Sequence, residues 1–265
     1  MDKPLLEVEH LTIVFEHAIE KVTAVNNVSF SIPQGKTLGL VGESGSGKSM
    51  TAFGILRLLP SGGRITAGTV RFNGYDLMTL AESKMQELRG AKISLIFQEP
   101  IIALNPTMQV GKQIAEALTV HHKTSGTETQ ARVVELLEAV RIPNAIDRVK
   151  DYPHQLSGGM RQRIMIAIAL ACRPLLLIAD EPTTALDMTI QAEVLDLLRE
   201  LRATYNLSLL LITHDFGVIA EMADYVAVMH QGKIVEQGPV RQILRQPLHA
   251  YTRSLLEAVP GHSWT

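Results

Sequence analysis

The residues Gly42-Glu43-Ser44-Gly45-Ser46-Gly47-Lys48-Ser49 fit the pattern G-x-x-x-x-G-K-[ST], and Met50 follows them. Glycines at this spacing let backbone N–H groups, and the start of a following helix, converge on anionic oxygen. Lys48 adds a point charge for the outer phosphates, and Ser49 offers a hydroxyl to Mg2+. Three further sets could complete a reaction. The run 175–179, Leu-Leu-Leu-Ile-Ala, ends in Asp180-Glu181, and a strand end is where a ligand crevice opens. Asp180 can hold Mg2+ through water, and Glu181 can take a proton from an attacking water. Leu156-Ser157-Gly158-Gly159-Met160 precedes an apolar-periodic segment. Ser157 is placed to cap that helix, and its glycines leave a second anion site open at the N-terminus; alone, such a sequence is more often only a cap. Gln98 and His214 end the apolar runs 93–97 and 209–213. Each by itself is more often a structural polar residue; it is the combination of strand-end elements that points to nucleotide chemistry.

The elements that must position these residues are readable. Residues 5–8, 28–32 and 37–41 have strand character, with Pro33-Gln34-Gly35-Lys36 as a turn; 69–73 and 93–97 are further strands. The runs 175–179 and 209–213 read as strands buried on both faces, as in a parallel sheet. Between them, Val194, Leu197, Leu198 and Leu201 give residues 190–203 helical spacing, and Met160, Ile164, Ala167 and Ala171 share a helix face. The middle lacks strand alternation. Val133, Val134, Leu136, Leu137 and Val140 form a helix face, opened by the capping box Thr127-x-x-Gln130. The expected fold is therefore α/β, with a nucleotide-binding core from residues 1–98 and 161–240, an inserted helical subdomain at 99–160 and a tail at 241–265. His230-Gln231-Gly232 predicts a hairpin, and the tail reads as helical with Pro247 and Pro260 as interruptions.

Composition sets bounds. In 265 residues 46% are hydrophobic and the net charge is −2, which gives no push toward nucleic acid or anionic lipid. One cysteine, Cys172, excludes an internal disulfide and a Cys-rich metal site and suits a reducing cytosol. MDKPLLEVEH lacks the apolar core of a signal peptide, and Arg173-Pro174 splits the apolar stretch 164–179 into pieces too short to span a bilayer. Work at a membrane must then go through partner chains.

Taken together, these motifs resemble the ATP-binding-cassette (ABC) ATPases, over essentially the whole chain. The resemblance makes residues 42–49 the Walker A motif, Gln98 the Q-loop, 156–160 the signature and 175–180 Walker B. It makes Glu181 the catalytic glutamate, Ala185-Leu186-Asp187 the D-loop and His214 the switch histidine. It implies an ABC-type P-loop ATPase core, a mixed sheet with helices and an N-terminal antiparallel β part, carrying an inserted helical subdomain. It further implies that ATP and Mg2+ are bound, with Ser49, Gln98 and Asp180 at the metal and Lys48 holding phosphate charge. The same resemblance implies that Gln98 and His214 sense the γ-phosphate. Phe15 is the aromatic candidate to stack on adenine, with residues 16–24 expected to lengthen its loop; a core phenylalanine is the plainer alternative.

A narrower similarity is to the dipeptide/oligopeptide/nickel importer ATPases, carried by Phe97-Gln98-Glu99-Pro100, Ala103-Leu104-Asn105-Pro106, His154-Gln155 before the signature, residues 179–187, and the tail Gln246-Pro247-Leu248-His249-Ala250-Tyr251-Thr252. Two departures stand out. Ile101-Ile102-Ala103 replaces small hydroxylated residues, and the chain stops at Thr265 without the cysteine cluster that many peptide-type members carry for an iron–sulfur centre. The similarity implies a peripheral ATPase on the cytoplasmic face of the cell membrane that powers the import of peptides, or of nickel or another metal complex. It would work with two membrane permease subunits, a second ABC ATPase chain (identical or related) and, indirectly, an extracytoplasmic substrate-binding protein. ATP would lie between Walker A of one ATPase and Ser157-Gly158-Gly159 of the other, and the apolar segment 101–104 is the natural permease contact. Two other readings are a soluble ABC ATPase acting on nucleic acid or the ribosome, and an exporter cassette. The first usually carries a long coiled-coil insertion or a second cassette and the second is often fused to membrane spans; this sequence has neither.

Overall fold

A computed structural model describes residues 4–16, 21–121, 126–184 and 186–259. In chain order the strands and helices are β1 (Leu6–Glu16), β2 (Lys21–Ile32), β3 (Thr37–Val41), α1 (Lys48–Leu56), β4 (Gly63–Phe72), β5 (Tyr75–Asp76), α2 (Glu82–Leu88), β6 (Ile93–Ile96), α3 (Pro100–Ala103), α4 (Val110–His121), α5 (Gly126–Ala139), α6 (Ala145–Arg148), a 3-10 turn (Pro153–Gln155), α7 (Gly158–Leu170), β7 (Leu176–Asp180), α8 (Met188–Tyr205), β8 (Ser208–Thr213), α9 (Phe216–Met222), β9 (Tyr225–His230), β10 (Lys233–Pro239), α10 (Val240–Arg245) and α11 (Ala250–Glu257).

The chain divides into two compact units. The first takes the described residues up to 85 and from 208 onward. Its antiparallel sheet runs β2-β1-β4-β5. Alternation along β1 buries Leu6, Val8, Leu11 and Ile13, so one face joins the core. In the same unit β3 lies between β8 and β9, parallel to both. β3 and β8 are buried at every residue, as near-continuous apolar runs in parallel strands require. β9 turns back onto β10 through Gln231 (φ 47°) and Gly232 (φ 78°). Two consecutive left-handed residues make the hairpin turn that matches strand twist, so the expected hairpin stands.

The second unit, 86–207, pairs β6 with β7 in parallel, Ile93 opposite Leu176. Between 100 and 148 its described residues carry the four helices α3 to α6 and no strand. Val133, Leu136, Leu137 and Val140 are buried, as their spacing predicts, and so are Val194, Leu197, Leu198 and Leu201 of α8. α7 is buried nearly all round, including Ile164, Ala167 and Leu170, as a helix inside a core must be.

Several sequence expectations are corrected. α5 begins at Gly126, so Thr127 lies inside the helix instead of capping it. β1 and β2 pair out to Glu16 opposite Lys21, so residues 21–24 extend a hairpin strand instead of lengthening a loop; residues 17–20 lie outside the described set, as does Pro260 of the tail. β6 stops at Ile96, leaving Gln98 in the following loop, whereas β7 reaches Asp180 itself. No helix among the described residues is long and apolar enough to cross a membrane.

Candidate active site

The first unit carries the phosphate loop. Buried β3 delivers the chain into Gly42, and α1 starts at Lys48. Gly47 caps that helix with φ 104°, a left-handed conformation that L side chains rarely adopt. At Gly42 a Cβ would lie 2.1 Å from the Met229 carbonyl oxygen, so only glycine fits between the loop and β9. Lys48 is 5% exposed, and its Nζ donates to the Gly42 carbonyl (2.8 Å) and the Glu43 carbonyl (2.9 Å). The ammonium is thus folded across the mouth of its own loop. Behind the loop, Gly232 N–H donates to the Ser46 carbonyl at 2.9 Å, while Ser46 Oγ is buried without a hydrogen-bond partner. An orphaned hydroxyl costs free energy unless a ligand or water meets it. Glu43, Ser44 and Gly45 are exposed, Ser49 and Met50 half-buried, and nothing would lie within 4 Å of a Cβ on Gly45. The loop presents an open glycine rim over a buried cation, which fits a polyphosphate.

Two other expected residues belong to this unit. Phe15 is half-buried near the end of β1, opposite Gly63, where any side chain would meet the ring at 2.8 Å. His214 is exposed just past β8. The adjoining turn is fixed by Asp215, whose N–H donates to Thr213 Oγ1 (3.1 Å) and whose carboxylate accepts the Gly217 N–H (2.6 Å) to cap α9.

The second unit carries the carboxylates. Asp180 ends β7 at 4% exposure. Glu181 follows with φ 46°, an uncommon left-handed conformation for a non-glycine residue. That turn swings its carboxylate to accept from Gln98 Nε2 (3.1 Å) and Thr184 Oγ1 (2.8 Å). Gln98 and Glu181, far apart in sequence, therefore meet, and Thr184 joins them. No role for Thr184 follows from the sequence, because a hydroxyl three residues after a carboxylate has no signal of its own.

Ser157 caps α7 as expected, accepting the Met160 N–H at 3.3 Å. The glycines after it differ. A Cβ on Gly158 would meet nothing closer than Leu186 at 3.8 Å, whereas one on Gly159 would lie 2.6 Å from Ile190 Cγ2 of α8. Gly158 faces open space and Gly159 serves helix packing. Asp187 caps α8, its carboxylate accepting the Ile190 N–H at 2.9 Å; Ala185 beside it lies outside the described residues. Of the apolar segment expected at a partner, Ile101 and Ile102 are 69% and 79% exposed, but Leu104 is buried at 2%, which removes Leu104 from that surface.

A family model described as ABC transporter matches residues 25–184. The chain is 50% identical over 257 residues to a putative peptide import ATP-binding protein of Brucella melitensis biotype 1, covering 97% of this chain and 77% of that one. It is 50% identical over 256 residues to an oligopeptide transport ATP-binding protein of Escherichia coli K12, covering 97% and 76%. Among solved structures, a dimeric post-hydrolysis state of an ATP-binding cassette bound to ADP and Pi superposes with a TM-score of 0.79 at 26% identity, covering 89% of this chain and 98% of that chain.

Proposed function

The chain belongs to the ABC transporter family, as an ATP-binding cassette ATPase of the importer kind, and from that premise we propose that it powers the uptake of peptides. The observation that carries the nucleotide part is the phosphate loop, with Lys48 buried across an open glycine rim. The peptide part rests on relatives named for peptide and oligopeptide import, and a further relative, in Shigella dysenteriae, is named for glutathione import. The reading of a soluble ATPase acting on nucleic acid finds no support among these relatives.

In this reading the amides of residues 42–49 and Lys48 hold the phosphates. Ser49, Asp180 and Gln98 hold Mg2+, and their oxygens are the hard donors this ion prefers. Bound Mg2+ supplies neutralisation of phosphate charge. Glu181 orients and deprotonates the attacking water, Gln98 and His214 respond to the γ-phosphate, and Phe15 supports the adenine. Catalysis is then mostly positioning and electrostatics. Ser157 and Gly158 face the nucleotide of a second ATPase chain, and exposed Ile101 and Ile102 meet one of two membrane permeases. That places the protein peripherally at the cytoplasmic face of the membrane, fed by an extracytoplasmic binding protein. ATP joins the two cassettes and hydrolysis parts them, giving the differential affinity a transport stroke needs.

The test is co-expression with candidate permeases, purification by a tag on this chain, and ATP-driven uptake of labelled di- to pentapeptides into vesicles. Co-purifying permeases with peptide-stimulated ATP hydrolysis are the expected result. Hydrolysis that responds to nucleic acid, with no permease retained, would overturn the assignment.

A further inference from the structure

The C-terminal helix reaches the phosphate loop, and its route is built in steps. Glu236 of β10 accepts the N–H of Leu248 (2.7 Å) and of His249 (3.1 Å), pinning the chain just before α11. Burial pushes the Glu236 carboxyl up, but the polar groups around it, the nearby Thr252 hydroxyl and the hydrogen-bonding N–H groups of Leu248 and His249, outweigh it and hold the group below the usual glutamate value. His249 Nδ1 then caps α11 by accepting the Tyr251 N–H at 3.2 Å. Leu256, Tyr251 and Leu255 belong to the apolar cluster of Val41, Phe216, Val226 and Val228. Val41 is the residue from which the phosphate loop departs.

Tyr251 is the point of contact. Its ring packs on His230 with centroids 3.9 Å apart, and its hydroxyl oxygen accepts the Glu43 N–H at 3.3 Å. Burial pushes the phenol up, so it stays protonated at neutral pH. The Glu43 N–H and the Gly42 carbonyl belong to one peptide unit. That unit is planar, so fixing its N–H on one side fixes its C=O on the other. The Gly42 carbonyl is the acceptor that grips Lys48 Nζ at 2.8 Å.

Building on the ATPase reading above, we propose that Tyr251 is a positioning residue. Through the Gly42–Glu43 peptide plane, its hydroxyl sets the aim of the Lys48 ammonium at the bound phosphates. The tail is thereby a part of the nucleotide site.

Tyr251→Phe removes only the hydroxyl and keeps the ring on His230. One net hydrogen bond corresponds to an affinity change of about 2- to 10-fold. The full-length variant is therefore expected to bind a fluorescent ATP analogue with Mg2+ about 2- to 10-fold more weakly, with a melting temperature lowered by no more than a few degrees. Amide exchange of the peptide covering residues 42–49, read without nucleotide, should rise while β3 and β8 stay protected. Glu236→Gln should act in the same direction from a distance, and the double variant should lose no more than the worse single. Wild-type affinity and wild-type loop exchange in Tyr251→Phe overturn the proposal. So does a rise in exchange in Tyr251→Phe that spreads to β3 and β8, or additive losses in the double variant. Because exchange is read in the absence of nucleotide, it decides the positioning role even if the wild-type chain binds no ATP, which would sink the functional reading instead.

Discussion

Gly158 and Gly159 are adjacent on α7, yet alanine should act on them in opposite ways. At Gly158 the added methyl enters open space, with Leu186 at 3.8 Å. Glycine inside a helix costs about 0.5–1 kcal/mol relative to alanine, so Gly158→Ala should leave stability unchanged or raise it by up to that amount. At about 2–4 °C per kcal/mol for a chain of this size, the melting temperature rises by no more than a few degrees. At Gly159 the methyl lies 2.6 Å from Ile190 Cγ2, a branched group on the first turn of α8 with no flexible stem to bend away. Overpacking costs about 1–3 kcal/mol; less the helix gain, Gly159→Ala should be destabilising by about 0–2 kcal/mol. Function should rank them the other way. If Gly158 faces the nucleotide of a partner cassette, its methyl blocks that approach, so Gly158→Ala should abolish most ATP-dependent dimerisation and turnover in a fully folded chain. The assays are thermal melting by circular dichroism, phosphate release, and size-exclusion chromatography with and without ATP. A Gly158→Ala protein with lowered melting temperature would refute the packing argument. One with wild-type turnover would refute the proposed role of this helix start.

Glu181→Gln keeps the Gln98 and Thr184 contacts but removes the base, so phosphate release should fall by about 10²- to 10⁴-fold while ATP-bound dimers accumulate on size exclusion; wild-type turnover would remove Glu181 from the mechanism. Lys48→Ala removes the Lys48 donor from the Gly42 carbonyl, while the Glu43 carbonyl keeps the Ser46 N–H at 3.2 Å; stripping a buried acceptor of its donor costs about 1–3 kcal/mol, and calorimetry should find nucleotide binding lost. Glu236 has a folded-state pKa below its ordinary value, so its contribution is present above the usual glutamate range and lost as pH falls through the folded value; melting curves of wild type and Glu236→Gln should differ at pH 7 and converge in acid. The Cys172 thiol is pushed up by burial and donates to the Ala117 carbonyl at 3.3 Å, so a thiol reagent should label it slowly in the native chain and fast in denaturant.

Local chemistry was legible from the chain alone. A glycine loop before a helix carries its pattern in eight consecutive residues, because the N–H groups that cradle phosphate come from neighbouring positions. The Ser157 cap, the buried faces of α5 and α8, and the turn at Gln231-Gly232 follow from spacings of one to four residues, and all stand where the sequence puts them. Boundaries were less legible. Thr127 lost its capping role because the helix starts before it, and β1 and β2 run further than their apolar stretches, since cross-strand pairing extends a hairpin past its hydrophobic core.

Residue order alone names the groups able to do phosphate chemistry and the kind of element each sits on. Tertiary structure alone decided how they are aimed. The left-handed turn at Glu181 brings Gln98 and Thr184 to its carboxylate, the Gly42 and Glu43 carbonyls hold Lys48 across the loop, and Tyr251 reaches Glu43 from the far end of the chain. The physical reason is range. Backbone spacing encodes contacts within a turn or a strand, whereas a hydrogen bond between distant residues depends on how whole elements pack, and no periodicity in the chain records it.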